Sequence, residues 1–406
     1  MASTQWKTLP LAAIAAALIG AAPASDENWA AGWFSAPFAP TAVQPSTTPA
    51  IFANQTVRNV VRVDAPGRAL RLKLTNELGI MPISVASVHV ALVDTTGRVV
   101  PGSDRSVRFD GNEEAWLPTG APLLSDSVNL PVAALQHLAI SIYFKASAMP
   151  AAHHAELMVA PGDQVAAGEL RSAWPMRGPA LVSEVDVVRP HSAPVIVAFG
   201  DSITEGAAST PGKDMSWPQQ FATRLAATPA TAGWSIVNAG LSGNRLLHEG
   251  FGLPALARFD RDVLAVTGVT HVVLLEGIND IGWWNKPDSD VTAARVIDAY
   301  RQIVARAHAR GVKVIGATIL PYKGAVYFSP EGEQMRVDVN RFIRTGKVFD
   351  GLVDFEVAAA DPANPQQIAA ELHPGDHLHP NDAGYAALAA AVPTALFAGA
   401  SPQTRR

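Results

Sequence analysis

The stretch that most constrains this chain is residues 195–206, Val-Ile-Val-Ala-Phe-Gly-Asp-Ser-Ile-Thr-Glu-Gly. The apolar run contains no polar residue and does not alternate. That pattern belongs to a strand buried on both faces, as in a parallel sheet covered by helices. It stops abruptly at Gly200-Asp201-Ser202, which predicts a tight turn and leaves a serine hydroxyl at the strand's carboxyl end. Ligands of open α/β sheets bind at that end. Ser202 therefore reads either as a nucleophile or as an ordinary helix cap, since Ser, Asp and Thr commonly open helices.

The surrounding pattern supports an α/β domain. Four further apolar runs follow, at residues 234–237, 271–275, 312–317 and 352–355. Amphipathic stretches lie near 217–226, 255–264, 291–310, 335–345 and 382–397. Five such units predict a parallel sheet with helices on both faces. Upstream, from about Thr56, the period is 2. Leu70, Leu72 and Leu74 alternate with Arg71 and Lys73, and Ile140, Ile142 and Phe144 alternate with Ser141 and Tyr143. Short strands separated by turn clusters, without helices between them, predict an all-β sandwich. Trp29, Trp33 and Phe34 are expected to pack an entry segment against it. Residues 190–194, bounded by Pro190 and Pro194, read as a linker. The expected organisation is a signal peptide at 1–24, a β-sandwich domain at 25–190 and a catalytic domain at 191–406. Val182, Val185 and Val188 are expected to dock the first domain on the second. The sandwich carries no catalytic constellation and reads as accessory.

With 48% hydrophobic and 17% charged residues, the chain is not a disordered one. A net charge of -5 without any basic run gives nucleic-acid binding no electrostatic support. The absence of cysteine removes disulfides, thiolate metal sites and a cysteine nucleophile. Lys7, the apolar residues 9–22 and Ala22-Pro23-Ala24 form a secretory pattern. Cleavage near Ala24 would leave a mature chain starting near Ser25, exported to the periplasm or the medium. The apolar run is too short to span a bilayer comfortably, so no membrane span is expected in the mature chain.

A serine nucleophile needs a base, a group to orient that base, and donors for the developing oxyanion. The second apolar run leads into residues 238–244, where Gly243 lets its N–H approach a ligand without a Cβ in the way. The third leads into Glu276-Gly277-Ile278-Asn279-Asp280, where the Asn279 amide can donate. The fifth leads into residues 373–381, with three histidines in seven residues. Clustered histidines suit zinc. The three-residue spacing of Asp376 and His379 suits a different arrangement. The carboxylate can hold the imidazole Nδ1–H, leaving Nε2 to take the Ser202 proton. His373 and His377 then read as supporting or surface residues. His153-His154 is a second candidate metal pair, but adjacent residues on extended chain face opposite ways, so an exposed loop is expected. Trp283 and Trp284 read as core or pocket wall. A catalytically silent glycan-binding protein would instead use them as stacking platforms.

Gly200-Asp201-Ser202, Gly243, Gly277-Ile278-Asn279-Asp280 and Asp376-His377-Leu378-His379-Pro380 together resemble, in order, the four blocks of the SGNH (GDSL) hydrolases. Residues 237–247, 257–262 and 274–282 resemble the xylanase-E-like branch of that superfamily. Residues 55–58 and 74–79 look like the β-rich N-terminal domain of many GDSL-type esterases and lipases. The resemblance implies a flavodoxin-like three-layer α/β/α hydrolase domain. It implies Ser202 as nucleophile, His379 as base, Asp376 as its orienter, and an oxyanion hole of Ser202, Gly243 and Asn279. Glu205 stands where many relatives carry Asp. No metal and no organic cofactor are implied. The expected substrate is a small-molecule or glycan ester with a short acyl group, such as an acetylated polysaccharide. A broad short-chain carboxylesterase or lipase is the alternative.

Overall fold

The computed structural model describes residues 27–38, 50–283 and 290–398. The export signal at 1–24 and Trp284 lie outside the described residues.

The C-terminal part is built on a five-stranded parallel sheet. Across the sheet the strands run Ser235–Gly240, Val195–Gly200, His271–Leu275, Lys313–Ala317, Gly351–Val353. In chain order this is 2-1-3-4-5, the flavodoxin-like arrangement, whose switch point falls at the carboxyl end of the first strand. All six residues of Val195–Gly200 are buried, which is why that segment carries no alternation. Helices Trp217–Ala226 and Asp382–Ala391 pack together, as do Ala293–His308 and Pro330–Thr345. These pairs and the sheet make the three layers.

Helix boundaries depart from the sequence pattern for local reasons. Pro330–Thr345 begins well before residue 335 because Ser329 caps it, accepting the Gly332 N–H, and Pro330 fits the first turn. Residues 255–264 divide into an α-helix, Ala255–Phe259, and a π-turn, Asp260–Leu264. Residues 382–397 divide at Pro393 into Asp382–Ala391 and a 3₁₀ turn, Thr394–Phe397.

The N-terminal part has two main antiparallel sheets and a small third one, in which Ile83–Val85 pairs with Ala115–Leu117. One main sheet orders Trp29–Phe34, Val182–Val188, Leu70–Thr75 and Pro122–Leu124. The other orders Trp174–Pro179, His154–Pro161, Gln55–Val63, Gln136–Phe144, Ser87–Val93 and Arg105–Val107. Leu70, Leu72 and Leu74 from the first meet Val88, Val90, Ile140 and Ile142 from the second in one core, so the alternating residues face inward as a sandwich requires.

The junction between the two parts corrects two expectations. Trp29–Phe34 does not merely pack on the sandwich. It pairs with Val182–Val188 on one side, while Ala30, Ala31 and Phe34 join the core of the α/β part. The Ala31 N–H donates to the Thr267 carbonyl at 2.9 Å, and the Ser235 hydroxyl donates to the Ala31 carbonyl at 2.8 Å. Two of the three valines do not form the docking face either. Val182 and Val185 lie in the sandwich core, a register shift between Val182 and Glu184 bringing both inward. The opposite face carries Glu184 and Asp186, which accept from the Thr267 N–H at 2.8 Å and its hydroxyl at 3.0 Å.

Candidate active site

Ser202 is the first residue of a one-turn helix, Ser202–Glu205, immediately after the first strand. Asp201 is its N-cap, with Oδ1 accepting the Ile203 N–H at 2.9 Å. The cap role therefore belongs to Asp201, and the Ser202 hydroxyl is left for another partner. That partner is His379: Oγ lies 2.9 Å from Nε2. On the far side of the ring, Nδ1 lies 2.7 Å from Asp376 Oδ2. The other oxygen of Asp376 accepts the N–H groups of Leu378 at 3.0 Å and His379 at 3.1 Å. Burial alone would raise the Asp376 pKa. The His379 hydrogen bond, these two N–H groups and the His379 charge outweigh it and hold the carboxyl below its usual range. The serine is 7% exposed, His379 is partly buried, and Asp376 at the far end of the chain of contacts is open to solvent.

His373 supports the same loop. Its Nδ1 accepts the N–H groups of Gly375 at 3.0 Å and His377 at 3.3 Å, and its ring packs on that of His377 with centroids 4.4 Å apart. Burial, followed by the neighbouring His377 charge, lowers its pKa. An Nδ1 that accepts two N–H groups is not free to bind a metal. Among the described residues no group of three or more His, Cys, Asp or Glu is placed to hold a metal ion.

Gly243 sits at φ +72°, and a Cβ there would fall 2.1 Å from the Phe251 ring, so only glycine fits this turn. Its N–H and that of Ser202 meet no protein acceptor among the described residues. Asn279 Nδ2 donates one hydrogen to the Asn244 carbonyl at 2.9 Å, and Oδ1 accepts from the Tyr327 hydroxyl at 3.5 Å. The amide orientation is thereby set, with one Nδ2 hydrogen to spare. Gly243 and Asn279 line a cavity of about 170 Å³ whose other walls include Phe251, Arg245 and Trp283. Trp283, 40% exposed, is thus a pocket wall.

Three residues to which sequence reasoning gave no role hold this arrangement from beneath. Arg258 is fully buried and donates to the carbonyls of Gly200 at 2.8 Å and Ala239 at 2.9 Å, and to Asn244 Oδ1 at 2.7 Å. It also pairs with Asp262 and Glu276, each at 3.2 Å. Asp280 accepts the N–H groups of Leu246 at 2.6 Å and Leu247 at 3.0 Å, fixing the loop after Gly243. Glu205 accepts the Ser242 N–H. An arginine within an apolar helical stretch was the one available signal, because a buried charge must find partners elsewhere.

His153 departs from the expected exposed loop. It is half-buried at the junction, with Nε2 3.2 Å from Glu205 Oε1 and Nδ1 3.2 Å from the Ala36 carbonyl. His154 opens the strand His154–Pro161, and its ring centroid lies 5.9 Å from that of Phe38. Burial chiefly lowers its pKa, to about 4.

The parallel sheet thus brings a serine hydroxyl, an imidazole and a carboxylate into line at its switch point. Residues 198–387, just under half of the chain, match the GDSL-like lipase/acylhydrolase family model, so this part resembles a GDSL-like acylhydrolase domain and the protein is a carboxylic ester hydrolase. Solved structures similar to it include a GDSL-like lipase from Bacteroides thetaiotaomicron, at 18% identity over 50% of this chain and 87% of that one, with a TM-score of 0.37. The acetyl xylan esterase AlAXEase matches at 20% identity over 48% and 96%, with a TM-score of 0.38. Est24, a carbohydrate acetylesterase from Sinorhizobium meliloti, matches at 15% identity over 48% and 94%, with a TM-score of 0.37. No curated protein matches the chain. Among the described residues no helix is long and apolar enough to cross a membrane.

Proposed function

We propose that the chain is an exported esterase that removes short acyl groups, using Ser202 as nucleophile, His379 as general base and Asp376 to orient the imidazole. The 2.9 Å contact between Ser202 Oγ and His379 Nε2, backed by Asp376, is the observation that carries this reading. Nε2 takes the hydroxyl proton as Oγ attacks the ester carbonyl carbon. The imidazolium then returns the proton to the departing alkoxide, giving an alcohol and an acyl-Ser202. Water repeats the sequence with the same base and releases the acid. The oxyanion of each tetrahedral intermediate is assigned to the N–H groups of Ser202 and Gly243 and the spare Nδ2 hydrogen of Asn279. The small cavity beside Gly243 and Asn279 supports acetyl to butyryl groups over long chains. The signal pattern at residues 1–24 supports export.

The test is hydrolysis of p-nitrophenyl esters of increasing acyl length and of acetylated xylan. Ser202→Ala should abolish turnover on all of them with an unchanged melting temperature. The wild-type rate should be highest for the shortest acyl groups. A folded Ser202→Ala variant with wild-type turnover would refute the mechanism. A flat acyl-length profile would leave a broad carboxylesterase.

A further inference from the structure

We propose that the β-sandwich takes part in catalysis through His153, a positioning residue that holds Glu205 so that Glu205 holds the Ser242–Gly243 turn. This rests on the oxyanion assignment given for Gly243 above.

Glu205 ends the helix that Ser202 begins. Its two carboxylate oxygens are divided between the two parts of the molecule. Oε2 accepts the Ser242 N–H, one peptide before the Gly243 N–H. Oε1 receives His153 Nε2 at 3.2 Å, from a residue of the sandwich. The remaining charged group at that oxygen is Arg177, also of the sandwich, at 3.7 Å. Arg177 is more than half exposed and shared with Glu156, so it is a weak substitute. His153 is fixed at both ring nitrogens, since Nδ1 faces the Ala36 carbonyl. Both of its partners are oxygens, a carbonyl on one side of the ring and a carboxylate on the other.

The backbone around Glu205 has no slack to take up a lost contact. A Cβ on Gly240 would lie 2.1 Å from the Glu205 nitrogen, so the helix already rests directly on the second strand. Asn238 Nδ2 also donates to the Thr204 carbonyl at 2.9 Å. The Glu205 carboxyl is held down to about 2: burial would raise it, but the His153 charge and hydrogen bond and the Ser242 N–H outweigh burial. Without His153, a largely desolvated carboxylate keeps one strong donor. It then takes up a proton or turns towards solvent, and either change loosens its hold on Ser242. Oxyanion donors work only within a few tenths of an ångström of their required distance. The loss should therefore fall on the transition state and not on substrate binding.

The experiment compares full-length wild type, His153→Ala, His153→Gln, Glu205→Ala and the His153→Ala/Glu205→Ala pair on p-nitrophenyl acetate, with Ser202→Ala as control. His153→Ala should lower kcat about tenfold, a part of what losing a whole oxyanion donor costs. KM should stay within about twofold. Inhibition by phenylboronic acid, whose tetrahedral adduct needs the same donors, should weaken in parallel. His153→Gln keeps an N–H for Oε1 and should recover most of the rate. The double variant should be no slower than Glu205→Ala alone, because the two residues act in series. Wild-type kcat in folded His153→Ala, or losses that simply multiply in the double variant, would overturn the proposal. If His153→Ala does not fold, a folded His153→Gln with kcat as low as that of Glu205→Ala would overturn it as well. An active Ser202→Ala would refute the reading of the site itself, which is a separate failure.

Discussion

Asn279 is oriented before any substrate arrives, by the Asn244 carbonyl on one side and the Tyr327 hydroxyl on the other. Such preorganisation is what makes a donor effective as charge develops. Asn279→Ala should lower kcat by ~10²–10³, the cost of one oxyanion donor, with a much smaller change in KM. Steady-state kinetics on one small ester checks this, and a change confined to KM would make Asn279 a binding residue. Asp201 offers a different test. Burial pushes its carboxyl up to about 7, outweighing the Ile203 N–H and the Arg258 charge, and Oδ2 has no partner among the described residues. In the unfolded chain an Asp ionises near pH 4. The folded form keeps its proton longer, so this residue costs stability as pH rises from about 4 to 7, by an amount of order 4 kcal/mol. Asn cannot ionise, so the melting temperature of Asp201→Asn relative to wild type should rise across that window. A difference that does not change with pH would show that the wild-type carboxyl ionises as freely folded as unfolded. Ser202, Gly243 and Asn279 could be proposed from sequence because each comes within a few residues of a recognisable strand. Asp376 and His379 were marked only by their own three-residue spacing, since a helix, Phe355–Ala359, and a hairpin, Ala360–Asp361 with Asn364–Ile368, separate them from the fifth strand. His153 and Glu205 could not be linked, because their contact depends on how two separately patterned parts of the chain meet.

At the scale of elements, the carboxyl ends of the first two strands are tied together by one side chain. Arg258 bonds the carbonyls of Gly200 and Ala239 and reaches Asn244, whose own carbonyl holds Asn279. Its guanidinium also lies over the Phe199 ring, 4.1 Å from the centroid. The five strands and their helices were legible as periodicity, but this cross-tie was not, since periodicity records which residues are buried and not which bonds they make. The helix boundaries that shifted did so through local devices, the Ser329 cap and the Pro393 break, which an apolar pattern does not register. Arg258→Met keeps much of the volume but strands Glu276 without its cation and leaves Asp262 with Arg261 alone. Removing one partner of a buried charge set typically costs about 3–5 kcal/mol. Urea unfolding should register a loss of that size, and kcat of the folded fraction should fall because the Gly200 and Ala239 carbonyls are released together. A variant with unchanged urea midpoint and kcat would mean that the backbone ends are held without Arg258.

For the whole molecule, the order of a sandwich followed by an α/β hydrolase domain was readable, whereas the junction between them was not. The sequence pattern pointed to valines at the contact. The contact is made instead by a strand shared between both parts, by Glu184 and Asp186 on Thr267, and by His153 on Glu205. This changes what deletion of the sandwich should do. A chain beginning at Ser192 contains Ser202, Gly243, Asn279, Asp376 and His379. It lacks Ala30, Ala31 and Phe34, which are buried in the core of the remaining domain, and exposes the apolar surface they cover. Such a surface favours aggregation, so the shortened chain should be less soluble and should melt at a lower temperature. It also lacks His153, so even its folded fraction should turn over p-nitrophenyl acetate more slowly than wild type, by at least the loss seen in His153→Ala. Active-site titration with a fluorophosphonate would count the folded fraction, and rates per titrated site would separate poor folding from poor chemistry. Full activity per site would return the sandwich to an accessory role and leave the His153–Glu205 contact a purely structural one.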